Sequence, residues 1–222
     1  WSGGRNGIGS QYRRARHRTA LPSRPMRPAL HTLLLAGSTG LIGQALQAQA
    51  LARPGLQALH LLLRRPPPAG STADTRLRPH LVDFRALPAL PAADAALCAL
   101  GTTIKVAGSQ AAFRAVDFDA VLAFARAARA AGVARFGVVS ALGADARSGV
   151  FYNRVKGEAE DALRAIGFAT LVIARPSLLL GDRAALGQPP RAGEQLAQVL
   201  AAPLSPLIAV TWRPIRADVV AR

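Results

Sequence analysis

Short apolar runs and longer stretches of helical spacing alternate along this chain. Leu33, Leu34 and Leu35 form a first apolar run, and Leu41, Ile42, Ala45 and Leu46 then open a helix to about Ala52. His60 to Leu63 reads as a second strand, His80 to Phe84 as a third, and Ala95 to Leu100 as a fourth. Val116 to Ala131 carries Val116, Ala120, Val121, Phe124, Ala127, Ala128 and Ala131 on one stripe, which predicts a helix closed by Gly132. Arg135 to Val139 reads as a fifth strand. Phe151 to Ile166 is a helix with Val155, Ala159, Ala162, Leu163 and Ile166 inward, and Phe168 to Ile173 is a sixth strand. Pro66 to Pro79 and much of 184–214 read as loops, with a short helix near Gly193 to Ala201. Ala217 to Arg222 reads as the start of a last helix. The alternation implies a single α/β domain over 30–222. The fold is a doubly wound, Rossmann-like parallel sheet in three layers, α/β/α.

The link from first strand to first helix carries Gly37, Gly40 and Gly43 at three-residue spacing, in the stretch Leu33 to Gln44, LLLAGSTGLIGQ. A strand, a glycine turn and a helix N-terminus present unpaired N–H groups to an anion, and the aligned peptide dipoles favour negative charge there. Gly37 suits a backbone angle other residues avoid. Gly40 lets a pyrophosphate approach, and Gly43 lets the helix lie close to its strand. Ser38, Thr39, Leu41 and Ile42 supply the surrounding backbone.

The edge of the second strand is where a bound dinucleotide places its adenosine ribose. Arg64 and Arg65 stand there. A guanidinium fork suits a 2′-phosphate, so the expectation is NADP(H) in preference to NAD(H). Asp83 follows the third strand at the adenine edge. Gly101, Thr102 and Thr103 follow the fourth, small enough for a cofactor to pass.

Tyr152 and Lys156 are four residues apart on one helix and share a face. Ser140 ends the strand before it, and all three belong beyond the strand C-termini. A phenol titrates near ~10 in water, and a neighbouring ammonium favours its ionised form. The set can therefore exchange a proton with a substrate hydroxyl or carbonyl, with Ser140 hydrogen-bonding the same oxygen and Lys156 also binding ribose hydroxyls.

Composition changes this picture little. The net charge is +16, but residues 1–29 hold seven arginines and no acid, with no apolar face. That segment is expected to be a disordered basic leader, with Met26 as the native start and the C-terminus truncated. The remaining excess is scattered arginine without stacking aromatics, so nucleic acid is not the expected partner. The single cysteine, Cys98, permits no internal disulfide, and no apolar stretch reaches membrane-span length, which suggests a cytoplasmic setting and no membrane.

Taken with CALGTT, GVVSALGAD, FYNRVKGEAE and VIARPSLLLGDR, these motifs resemble the atypical or extended short-chain dehydrogenase/reductases. They are most similar to the Tat-interacting oxidoreductase-like branch and its bacterial relatives. The resemblance implies that Gly37, Gly40 and Gly43 line the pyrophosphate, that Arg64 holds the 2′-phosphate, and that Ser140, Tyr152 and Lys156 are catalytic. It also implies that Pro176 and Ser177 close near the nicotinamide. The family's asparagine on the preceding helix has no counterpart in Val116 to Gly132. The expected function is an NADP(H)-dependent oxidoreductase of a small carbonyl or alcohol substrate. The alternatives are a nucleoside-diphosphate-sugar epimerase or dehydratase, and a non-catalytic cofactor-sensing protein.

Overall fold

The computed structural model describes residues 30–67, 73–177, 179–180 and 215–221. Strands β1 (Thr32–Ala36), β2 (Ala58–Leu63), β3 (Leu77–Leu81), β4 (Ala95–Cys98), β5 (Arg135–Val139) and β6 (Thr170–Ala174) form one sheet in the order β3-β2-β1-β4-β5-β6. Every pairing is parallel, with Leu33 beside Leu59 on one flank and beside Ala95 on the other. Helix α1 (Leu41–Leu51) links β1 to β2. Between β4 and β5 run α2 (Ile104–Ala107), α3 (Gln110–Arg114), a π-helical segment (Ala115–Ala120) and α4 (Val121–Ala130). Helix α5 (Phe151–Ala165) links β5 to β6. A parallel pair, β7 (Leu179–Leu180) and β8 (Ile215–Arg216), and a turn of helix α6 (Ala217–Val220) complete the described chain.

The sheet separates two apolar layers because successive strand side chains point to opposite faces. Leu34, Ala36, Ala96, Phe136 and Val138 meet Phe124, Ala128 and Leu163 on one face. Leu33, Leu35, Leu59, Leu61 and Leu63 meet Ala50 of α1 on the other. Strand order reverses between β1 and β4. That is the switch point where helices leave on opposite sides and a crevice opens beyond the strand ends.

Three expectations shift. Strand β3 begins three residues earlier than the pattern predicts and includes Pro79, paired with Leu61. A strand edge with no outer neighbour tolerates a proline there. Between the fourth strand and the helix from Val116, where the pattern names no element, α2 and α3 form. Thr103 Oγ1 accepts from Val106 N–H at 3.2 Å and Ser109 Oγ from Ala112 N–H at 3.0 Å, so two hydroxyl caps start them. The predicted helix from Val116 is π-helical over its first turn. The leader at 1–29 and the helix near Gly193 to Ala201 lie outside the described residues.

Candidate active site at the strand ends

The three glycines do different work. Gly37 has φ +85°, and a Cβ there would lie 2.5 Å from the Ala99 carbonyl and 2.7 Å from Leu100 N. A Cβ on Gly43 would lie 2.0 Å from Gly37 O, so helix and turn close on each other only without one. Gly40 meets nothing nearer than Gly37 O at 3.4 Å, and its φ is an ordinary −82°. The fold itself therefore asks for Gly37 and Gly43, while the space at Gly40 is left over. Gly40 provides no side-chain cap for α1, and within the turn Gly40 N–H donates to Gly37 O (3.1 Å) and Gln44 N–H to Gly40 O (2.9 Å). The amides between them suit a diphosphate. Ser38 and Ile42 are buried, Leu41 half-buried and Thr39 exposed.

Across the switch point, the turn after β4 is fastened to the next helix. Thr102 N–H donates to Asp117 Oδ2 at 2.9 Å. Asp117 Oδ1 stands 2.8 Å from Lys156 Nζ, with both side chains buried. Burial pushes the Lys156 ammonium down, but the Asp117 carboxylate, with Tyr152 adding to it, more than reverses this, and the net displacement is upward. Gly101 faces this pair: a Cβ there would stand 3.4 Å from Asp117 Oδ1 and 3.7 Å from Nζ. Thr103 is committed to capping α2.

Tyr152 lies in the first turn of α5, half-buried, its ring 5.3 Å from that of Phe113. The loop after β5 crosses the start of this helix. Asp145 N–H donates to Asn153 O at 3.1 Å, and a Cβ on Gly157 would lie 2.1 Å from Ala146 N. Pro176 O accepts from Leu142 N–H at 2.9 Å and ties that loop to the end of β6, beside half-buried Ser177.

Ser140 sits at the end of β5 but is turned inward. Its hydroxyl donates to Glu160 Oε1 at 2.6 Å, and its N–H donates to Ala174 O at 2.7 Å. Glu160 also receives Arg175 Nε at 2.9 Å and an Arg164 guanidinium at 3.0 Å. Burial raises this carboxyl, but the hydrogen bonds from Arg175, Ser140 and Arg164 outweigh it and hold it below the usual range. A cavity of about 10 Å³ separates Ser140 and Glu160 from Asp117 and Lys156, room for about one water.

The structure thus brings Gly101, Thr102, Asp117, Lys156 and, one turn away, Tyr152 to one place. Pattern reading missed Asp117 and Glu160. Asp117 interrupts an apolar stripe four residues from both Phe113 and Val121, and Glu160 follows Lys156 by four. Both are acids at inward positions, and that was the available signal. Asp83 is exposed and paired with Arg85, 3.0 Å away. Among the described residues, no group of three or more His, Cys, Asp or Glu is placed to hold a metal ion, and no helix is long and apolar enough to cross a membrane.

Residues 37–198 match the NAD(P)H-binding family. Protein fmp52 of Emericella nidulans is 34% identical over 158 residues, covering 67% of each chain. Protein HTATIP2 of Rattus norvegicus is 34% identical over 171 residues, covering 75% of this chain and 69% of that one. This chain belongs to the NAD(P)H-binding family and has the fold of the atypical short-chain dehydrogenase/reductases. Among solved structures, MoeE5 in complex with UDP-glucose and NAD shares the fold at a TM-score of 0.55 and 20% identity. The match covers 68% of this chain and 55% of MoeE5, so the chain spans about half of that enzyme.

Two expectations are corrected by these relatives. The preference for NADP(H) over NAD(H) does not stand, because structures sharing the fold, MoeE5 among them, hold NAD. Arg64 and Arg65 are exposed at the end of β2. A solvated guanidinium at a strand end is an ordinary surface group and does not specify a phosphate. The cytoplasmic setting is also overturned: fmp52 and its counterparts in other fungi are named as mitochondrial proteins. A lone buried thiol and the lack of a long apolar run report on redox state and helix length, and neither fixes a compartment.

Proposed function

We propose that the chain binds NAD(H) across the switch point and acts on a carbon bearing a hydroxyl. The observation that carries this reading is one sheet edge holding the open turn at Gly40 and, beyond β4, the buried Lys156 with Tyr152 one helical turn away. NAD held on that turn would supply the hydride acceptor. Tyr152 takes the hydroxyl proton as the carbon–oxygen bond becomes a carbonyl, and returns it in the reverse step. Lys156 keeps positive charge beside the phenol and reaches the ribose hydroxyls. Ser140 donates its own hydroxyl proton to Glu160 in the interior, so the single proton of the substrate hydroxyl passes to Tyr152 alone.

For the substrate we favour a nucleoside-diphosphate sugar, oxidised and re-reduced without net use of cofactor. Supporting this, proteins that share the fold are named or solved with such compounds: MoeE5 with UDP-glucose or UDP-glucuronic acid, and a UDP-glucuronic acid 4-epimerase from Bacillus cereus. The test is incubation of the full chain with NAD and UDP-glucose, UDP-glucuronic acid or dTDP-glucose, followed by NMR of the sugar. Conversion without accumulating NADH, lost in Tyr152→Phe, is expected. Net NADH release would favour a simple alcohol dehydrogenase instead, and NAD binding with no conversion of any sugar or alcohol would overturn the catalytic reading.

A further inference from the structure

The helix preceding β5 lacks the asparagine that the family pattern anticipates, and an acid stands in its stretch. Phe113, Asp117 and Val121 are all buried, four residues apart. On an α-helix each four-residue step drifts by about 40° around the axis. The π-helical segment Ala115–Ala120 has wider turns, which take up that drift, so all three side chains are turned into the interior. The departure from regular helix is therefore what delivers a carboxylate to the interior.

Both Asp117 oxygens are used there. Oδ1 is 2.8 Å from Lys156 Nζ, and Oδ2 accepts from Thr102 N–H at 2.9 Å. A buried ammonium without an anion would tend to shed its proton, and a four-carbon stem without a fixed partner would sample several rotamers. Gly101 lies against the pair at the end of β4, where a Cβ would stand 3.4 Å from Asp117 Oδ1 and 3.7 Å from Lys156 Nζ.

We propose that Asp117 is the positioning residue of this site, one buried carboxylate that clamps the Lys156 ammonium to the main chain at Thr102. It thereby fixes helix α5 against the turn after β4. The inference rests on the reading above for what Lys156 does, but the clamp itself can be tested without any substrate.

The chain has two lysines, Lys105 and Lys156, and Lys105 is exposed. Lysine labelled with ¹³C at Cε therefore gives two signals, with Lys105 as internal reference. In Asp117→Asn, which keeps size and an acceptor for Thr102 but removes the charge, the Lys156 midpoint is expected to fall by at least ~1 pH unit. The kcat on a responsive substrate should fall at least ~10-fold with a displaced pH profile. An unchanged Lys156 midpoint would overturn the clamp. If Asp117→Asn does not fold, the wild-type titration decides: Lys156 must remain an ammonium above the ordinary lysine value of about 10.4, and titration below it overturns the proposal. A falling midpoint in a protein that turns over no substrate would support the clamp and overturn the hydride-transfer reading.

Discussion

Replacing the three turn glycines one at a time separates what the fold needs from what a ligand needs. Gly37→Ala sets a side chain into a left-handed backbone, costing about 1–2 kcal/mol, and drives its Cβ to 2.5 Å from the Ala99 carbonyl. Relieving that overlap costs a further ~1–3 kcal/mol. Gly43→Ala meets Gly37 O at 2.0 Å, which only separation of α1 from the turn can relieve. Its cost is again about 1–3 kcal/mol or more. Gly40→Ala is different. Its φ of −82° suits any residue, and its nearest neighbour is 3.4 Å away. Alanine is a poorer N-cap than glycine, so the expected loss is under ~1 kcal/mol. Its methyl group, however, occupies the space beside the first amides of α1, and NAD affinity should fall at least ~10-fold. Urea unfolding followed by calorimetric NAD titration measures both quantities. The reasoning fails if Gly40→Ala is as unstable as Gly43→Ala, or if it binds NAD as tightly as wild type.

Ser140→Ala removes a buried hydrogen bond to a charged partner and should cost about 1.5–3 kcal/mol in urea unfolding; unchanged stability would deny that the Ser140–Glu160 bond forms. Tyr152→Phe should keep NAD affinity and lose at least ~100-fold in kcat, read by sugar NMR, because only the proton carrier is removed. His60 Nδ1 and His80 Nε2 are 2.8 Å apart, and burial first, then His80 and Arg78, hold His60 below its ordinary value. The unfolded chain then binds that proton more readily, so stability should be full above about pH 6.5 and decline as pH falls below it. In His60→Asn that slope should flatten. Cys98 is fully buried and its thiol is pushed up to about 12, chiefly by burial, so a maleimide at neutral pH should label it only at the rate the core opens.

Much of the architecture could be read along the chain because its signals are local. A leucine run followed by Gly37, Gly40 and Gly43 specifies a strand, a turn and a helix through backbone sterics and spacing, and six strands with three helical crossovers fit a doubly wound parallel sheet. Tyr152 and Lys156 were likewise visible, since four residues on a helix always share a face. The sequence could not say that Asp117 turns inward, because that depends on a π-helical turn whose stability comes from what Phe113 and Val121 pack against. Nor could it say that the Ser140 hydroxyl belongs to Glu160, twenty residues away, or that Asp83 spends its charge on Arg85. Local spacing decides which face a residue occupies. Which partner takes its charge or its proton is settled only when separate elements close on one another and water is excluded between them.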